Sequence, residues 1–189
     1  LIYSENIEEA TKVTQNADII FMLDYNHLSR IGDYSNVVRG SDAFKLMIDH
    51  HQEPEQDMAD VIISDTSSSS TAQLLFNVIE KLGYKNLINK DIAECLYAGI
   101  MTDTGSFKFS STTAETHKII AQLIDFGANN SKVHDLIYDN YSPERTKLLG
   151  YCLNEKMKIY QDLHSAVISL TEEELKSFNF RKGDTEGVV

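Results

Sequence analysis

The sequence predicts an α/β fold, a mainly parallel sheet flanked by helices, with the start of a second, smaller α/β domain behind it. Three observations carry that prediction. Short apolar runs of strand length alternate with longer segments of helical period, the pattern of a helix-covered parallel sheet. Three apolar segments end in an aspartate: DIIFMLD at Asp24, KLMID at Asp49 and CLYAGIMTD at Asp103. Past about residue 155 the helical period gives way to a hairpin pattern in MKIYQDLHSAVISL.

The elements follow in order. Residues 6–16 read as a helix, with Asn6 as N-cap and Glu8 and Glu9 in the first turn. Ile19–Asp24 reads as a buried strand, YNHLSRIGDYSN as a polar loop, Lys45–Asp49 as a second strand and Asp60–Ser64 as a third. SDTSSSSTAQLL opens a helix that runs to about Leu82. Ser70 and Gln73 have capping-box spacing, and Gly83 is its stop. Asp91–Met101 is helical, since Ile92, Cys95, Leu96, Gly99 and Ile100 share one face. Residues 113–126 form another helix, ended by Gly127. NNSKVHDLIYDN and SPERTKLLGYCLNEK read as two more, the latter with Ser142 as N-cap and Pro143 at the first helical position. TEEELKSF begins a last helix, with a capping box from Thr171 to Glu174. The expected division is 1–154, ending in linker helices over 130–154, and 155–189, the beginning of a second domain.

Composition narrows the function. A net charge of −12 argues against a broad basic surface for long nucleic acid. It leaves room for a small anionic substrate held by metals and a few local cations. No apolar run reaches the length of a membrane span, and no secretory pattern opens the chain. Cys95 and Cys152 each fall in a helical pattern and read as buried free thiols, in keeping with a reducing, cytoplasmic setting. The chain opens at Leu1 without a methionine and stops in GDTEGVV, so a piece of a longer protein is expected.

Asp49-His50-His51 puts an acid and two imidazoles where a strand would surface. Each feature alone has an ordinary explanation: a polar surface turn, an acid ending a strand, Asp103 capping a turn in TDTGSF. Together, Asp24, Asp49, His50, His51 and Asp103 favour a site for divalent metals and phosphate chemistry. Arg30 lies six residues past Asp24, and in so acidic a chain it reads as a guanidinium that grips a phosphate. Ser67–Thr71 fits capping first; Ser69 and Ser70, at a helix start, are also placed to touch a phosphate or ribose. His27, His117, His134 and His164 have no partner assigned from sequence.

These motifs resemble the DHH phosphoesterases, through LDYNHLSRIG, MIDHH, SSSSTAQLL, GIMTDTGSFKFSSTTAETH and GDTEGVV, along essentially the whole chain. The chain is similar above all to the subgroup that degrades very short RNA and removes the 3′-phosphate of adenosine 3′,5′-bisphosphate. The resemblance implies two ions, Mn²⁺ (or Mg²⁺), in the complete protein. It implies that Asp24 bridges them and that His50 and Asp103 are ligands. His51 is implied to meet the substrate phosphate, and Asp49 to orient its neighbours as part of the catalytic set. Ligands of the first metal are expected on a His-x-x-x-Asp-x-Asp motif before Leu1, and a glycine-rich motif of the second domain after Val189. On that expectation the 189-residue stretch alone binds metal weakly and is inactive.

The implied partner is short RNA or a small phosphorylated nucleotide, bound in the cleft between the domains at the C-terminal edge of the sheet. Membranes and long duplexes are not expected, and homodimerisation is left open. The rivals are a RecJ-like single-strand exonuclease, a cyclic-dinucleotide phosphodiesterase, a pyrophosphatase and a non-catalytic nucleotide-sensing module.

Overall fold

A computed structural model describes residues 2–181 and 183–185. Of GDTEGVV, residues 186–189 lie outside the described residues. The chain divides into two compact units, Leu1–Val133 and His134–Val189. No helix among the described residues is long and apolar enough to cross a membrane.

The first unit is built on a parallel sheet of three strands in the order β1-β2-β3: β1 Ile19–Leu23, β2 Phe44–Asp49 and β3 Val61–Ser64. Helix α1 (Ile7–Gln15) precedes it, and α2 (Tyr34–Arg39) lies between β1 and β2. Helices α3 (Thr71–Lys81), α4 (Lys90–Asp103) and α5 (Ala114–Asp125) follow β3, and α6 (Asn130–Ile137) crosses into the second unit. The fold class is therefore that of the sequence reading. Because the strands are parallel, their carboxyl ends share one edge. Asp24, Asp49 and the start of α3 all lie there.

The pleat decides which strand residues are inside. Met22 and Met47 point to the face covered by Leu28, Val38 and Met58, all buried. Ile19, Phe21 and Leu23 point the other way and stay exposed. The strand read as buried is thus buried on one face only.

The segment read as a polar loop is also more ordered. Leu28–Ile31 forms a 3-10 turn and Tyr34–Arg39 forms α2. Leu28, Ile31, Tyr34 and Val38 recur at three- and four-residue steps, and all join the Met22–Met47 cluster. Burial of that stripe outweighs the turn-forming Ser29, Gly32 and Asp33 around it.

Two caps differ from expectation. Asn6 stands at the N-cap of α1, but its side chain makes no cap bond and donates instead to the Ile2 carbonyl, 3.4 Å away. Ser70 accepts from the Gln73 amide at 3.0 Å, half of a capping box. The Gln73 side chain does not return the bond. Its Oε1 accepts from Ser69 at 2.7 Å and from Thr116 of α5 at 2.8 Å, so it ties two helices together.

Helices α3 and α4 cross at Ala72 and Gly99. A Cβ on Gly99 would stand 2.8 Å from the Ala72 Cβ, so only glycine permits this approach. Cys95 of α4 is exposed, contrary to the sequence reading, because it sits at a cavity between α3 and α4 and not under a helix. Cys152 is buried as expected, and both thiols are free.

In the second unit α7 (Pro143–Tyr151) passes into a π-helical turn over Cys152–Lys156. An antiparallel hairpin follows, β4 (Lys158–Tyr160) with β5 (Ser165–Val167), then α8 (Glu172–Ser177). The α8 capping box from Thr171 to Glu174 is fully formed. Glu174 also accepts from Tyr151 at 2.6 Å and Lys156 at 2.8 Å, and these donors hold its carboxyl down at about 2.

Candidate metal and phosphate site

The site gathers on the carboxyl edge of the sheet and the last turn of α4. Asp24 follows β1 in a left-handed backbone conformation, φ 66°, with its amide donating to the Ile48 carbonyl at 3.3 Å. Aspartate tolerates this region better than most residues. Its side chain stays more than half exposed, at 55%.

Asp49, the last residue of β2, is fully buried. Burying a carboxylate is costly unless donors surround it. Here the His51 ring gives its Nδ1 to Oδ1 at 2.8 Å, and the His51 amide gives to Oδ2 at 3.0 Å. The carboxylate thereby turns the Nε2 of His51 outward. His50 is held by a different partner: its Nδ1 lies 3.3 Å from the Ser68 carbonyl. Its Nε2 then faces two carboxylates, Asp24 at 3.8 Å and Asp103 at 3.7 Å.

Asp24, His50 and His51 each offer a ligand atom, all within 4.8 Å of one another. Asp103 joins through His50. Imidazoles whose second nitrogen is tied to a carboxylate or carbonyl are the usual metal-ligating arrangement. The mixed carboxylate and imidazole donors suit Mn²⁺ and its neighbours. The residues therefore fit a divalent cation.

Asp103 has its carboxyl held above the usual carboxylate range, first by burial and then by the negative charge of Asp24; His50 and His51 pull the other way. The turn after it is strained. Gly105, Ser106 and Phe107 are consecutively left-handed, with φ of 56°, 59° and 68°. Gly105 is needed twice, for its φ and because a Cβ would lie 2.4 Å from the Phe109 ring. Buried Thr104 anchors the turn: its carbonyl accepts from Lys108 and Phe109 at 3.0 Å, its hydroxyl from Phe107 at 3.1 Å. Phe107 packs edge-on to Tyr97 and beside His117.

The serine run serves the scaffold. Asp65 accepts from the Ser67 amide and hydroxyl and from Ser68, which holds its carboxyl below the usual range. Ser69 and Ser70 are buried, with their hydroxyls engaged with Gln73 at the helix start. Arg30 is exposed in the 3-10 turn of the loop that leaves Asp24. That loop is stapled by Glu55, which accepts from the Leu28 amide at 2.9 Å and Arg39 at 2.8 Å, with His27 3.2 Å away. Two contributors escaped sequence reading. Thr71 donates to Asp24 across 47 residues, and no local pattern signals that. Glu55 lies in HQEPEQ, where one more acid in an acidic chain carries no signal.

Fold and cluster together define an α/β protein with an acid–imidazole corner at the carboxyl ends of its strands. Residues 2–100 match the DHH family, N-terminal domain, and the chain belongs to that family. It is similar to the Bacillus subtilis bifunctional oligoribonuclease and PAP phosphatase NrnA, at 31% identity over 74% of this chain and 44% of that protein. Its likeness to the Thermus thermophilus protein of the same description is 30% identity over 60% of this chain and 34% of that one. Among solved structures, an exopolyphosphatase-related protein from Bacteroides fragilis superimposes with a TM-score of 0.95 at 43% identity, over 100% of this chain and 55% of that chain. The chain thus spans less than half the length of these two curated relatives.

Proposed function

We propose that this chain carries part of the active site of a metal-dependent phosphoesterase that hydrolyses phosphoester bonds in small nucleotides. The observation that carries the reading is the aim of His50. Its Nδ1 is tied to the Ser68 carbonyl, and its Nε2 faces Asp24 and Asp103 at 3.8 and 3.7 Å. The names of the relatives, oligoribonuclease and PAP phosphatase, support short RNA and adenosine 3′,5′-bisphosphate as substrates.

Asp24, His50 and Asp103 would hold Mn²⁺ or Mg²⁺, with two ions in the complete protein. Bound divalent cations activate water and neutralise charge on phosphoryl oxygens. The chain's own residues then have separable tasks. His51, oriented by Asp49, presents Nε2 to the substrate phosphate. Arg30 supplies a forked cation for a second pair of phosphate oxygens. Asp49 keeps the His51 ring in that orientation through its bonds to Nδ1 and the amide. The net charge of −12 favours small substrates over a long strand, which needs a basic channel. A cytoplasmic setting fits this substrate class.

The test is phosphate release from adenosine 3′,5′-bisphosphate with Mn²⁺ by the full-length protein, beside Asp103→Ala. The expected outcome is release that the substitution lowers at least 100-fold. Cleavage of pyrophosphate or cyclic dinucleotides in its place would move the substrate class. Nucleotide binding without any release would turn the reading to a sensor.

A further inference from the structure

We infer that Thr71 is a positioning residue for the metal site, its hydroxyl aiming the Asp24 carboxylate and spacing it from Asp49. The inference rests on the metal-site reading above. Thr71 is the first residue of α3, and Ser70 already caps that helix by accepting from the Gln73 amide. The Thr71 hydroxyl is therefore not needed for the cap. It lies 2.8 Å from Asp24 Oδ1 and 3.4 Å from Asp49 Oδ1. A hydroxyl has one proton to give, and the shorter contact takes it.

Asp24 has few other restraints. Its side chain is 55% exposed, and its φ of 66° follows the last residue of an edge strand. Without the Thr71 bond, its carboxylate is free to swing into solvent. With it, Oδ1, the oxygen that also stands 3.8 Å from His50 Nε2, is pinned on its inner side. Asp49 needs no such help, since both of its oxygens already accept from His51. For that pair of acids the hydroxyl acts as a spacer between like charges. Thr71 itself is 5% exposed.

The position of Thr71 is itself set by the helix crossing. Its neighbour Ala72 is the residue that meets Gly99, four positions before Asp103. One crossing therefore places the donor to Asp24 and the carboxylate of Asp103.

The experiment is a Mn²⁺ titration of the full-length protein, followed by loss of the free-ion EPR signal, for wild type, Thr71→Val and Thr71→Ser. Metal-free melting curves are recorded for each. Valine keeps the shape and removes the proton; serine keeps the proton and removes the methyl. The expected result is Mn²⁺ affinity 10–100-fold weaker in Thr71→Val, the usual scale for a residue behind a ligand. Thr71→Ser should stay within about threefold of wild type on the same scale. Equal Mn²⁺ affinity in wild type and Thr71→Val, with a lower metal-free Tm, would leave Thr71 as a helix-start residue and overturn the inference. Equal weakening in the serine variant would also overturn it, and serves if the valine variant fails to fold. A wild-type protein that takes up no Mn²⁺ would overturn the metal-site reading itself, before any variant is compared.

Discussion

The turn after β2 and the turn after α4 both deliver an acid to the same corner, by opposite means. At Asp49–His51 a fully buried carboxylate is satisfied by a ring nitrogen and an amide of the residue two positions on. At Asp103–Phe109 the backbone is forced, with three left-handed residues in succession. The first turn is ordered by hydrogen bonds, and its acid is inside. The second is ordered by conformation, and its acid is part-exposed beside another carboxylate. On the proposed reading, the first acid sets up a neighbour and the second receives a cation. Only the latter gains from leaving its charge unsatisfied.

Substitutions can break that contrast, the largest effect first. Gly105→Ala adds a methyl against the Phe109 ring and a side chain at positive φ. It should cost about 2–3 kcal/mol and lower Tm by roughly 5–10 °C in a thermal melt. An unchanged Tm would mean that the turn is slack and stores no strain. Asp49→Ala strips the His51 ring and amide of their acceptor. It should cost about 1–3 kcal/mol and lower kcat/KM by roughly 10–100-fold, measured as phosphate release. Activity within twofold of wild type would show that His51 does not depend on Asp49.

The smallest effect sharpens the comparison. The raised pKa of Asp103 means that the folded chain holds its proton more tightly than the unfolded chain. Above the usual carboxylate range the ionised group then opposes folding in metal-free protein. Asp103→Asn should raise metal-free Tm on the order of 1 °C at neutral pH. The gain should vanish as pH falls below that range, where both side chains are neutral. With Mn²⁺ present the sign should reverse, since the ligand is gone. A fall in metal-free Tm at neutral pH would contradict the burial and charge argument.

The acids and imidazoles of this corner are legible because they end apolar runs, and a parallel sheet sends all such ends to one edge. Asp24, Asp49 and His50 could be named that way. Leu28, Ile31, Tyr34 and Val38 were hidden because polar and turn-forming residues interrupt their stripe. Ile19, Phe21 and Leu23 were misjudged because apolar content does not tell which face of a pleat is covered. The Thr71–Asp24 bond joins positions 47 apart, and only the folded chain reveals it. Cys95 shares a helical face with Leu96 in sequence, yet it borders a cavity of about 310 Å³.

The crossing of α3 and α4 behaves as a mechanical stop. With the Ala72 methyl against Gly99, the helices stand too close to admit a Cβ at position 99. Any side chain at position 99 can only wedge them apart. Error at this point is therefore one-sided: the corner can be opened, and its acids and imidazoles moved apart, but it cannot be crushed. Calibration of the whole corner then depends on a single absent methyl group.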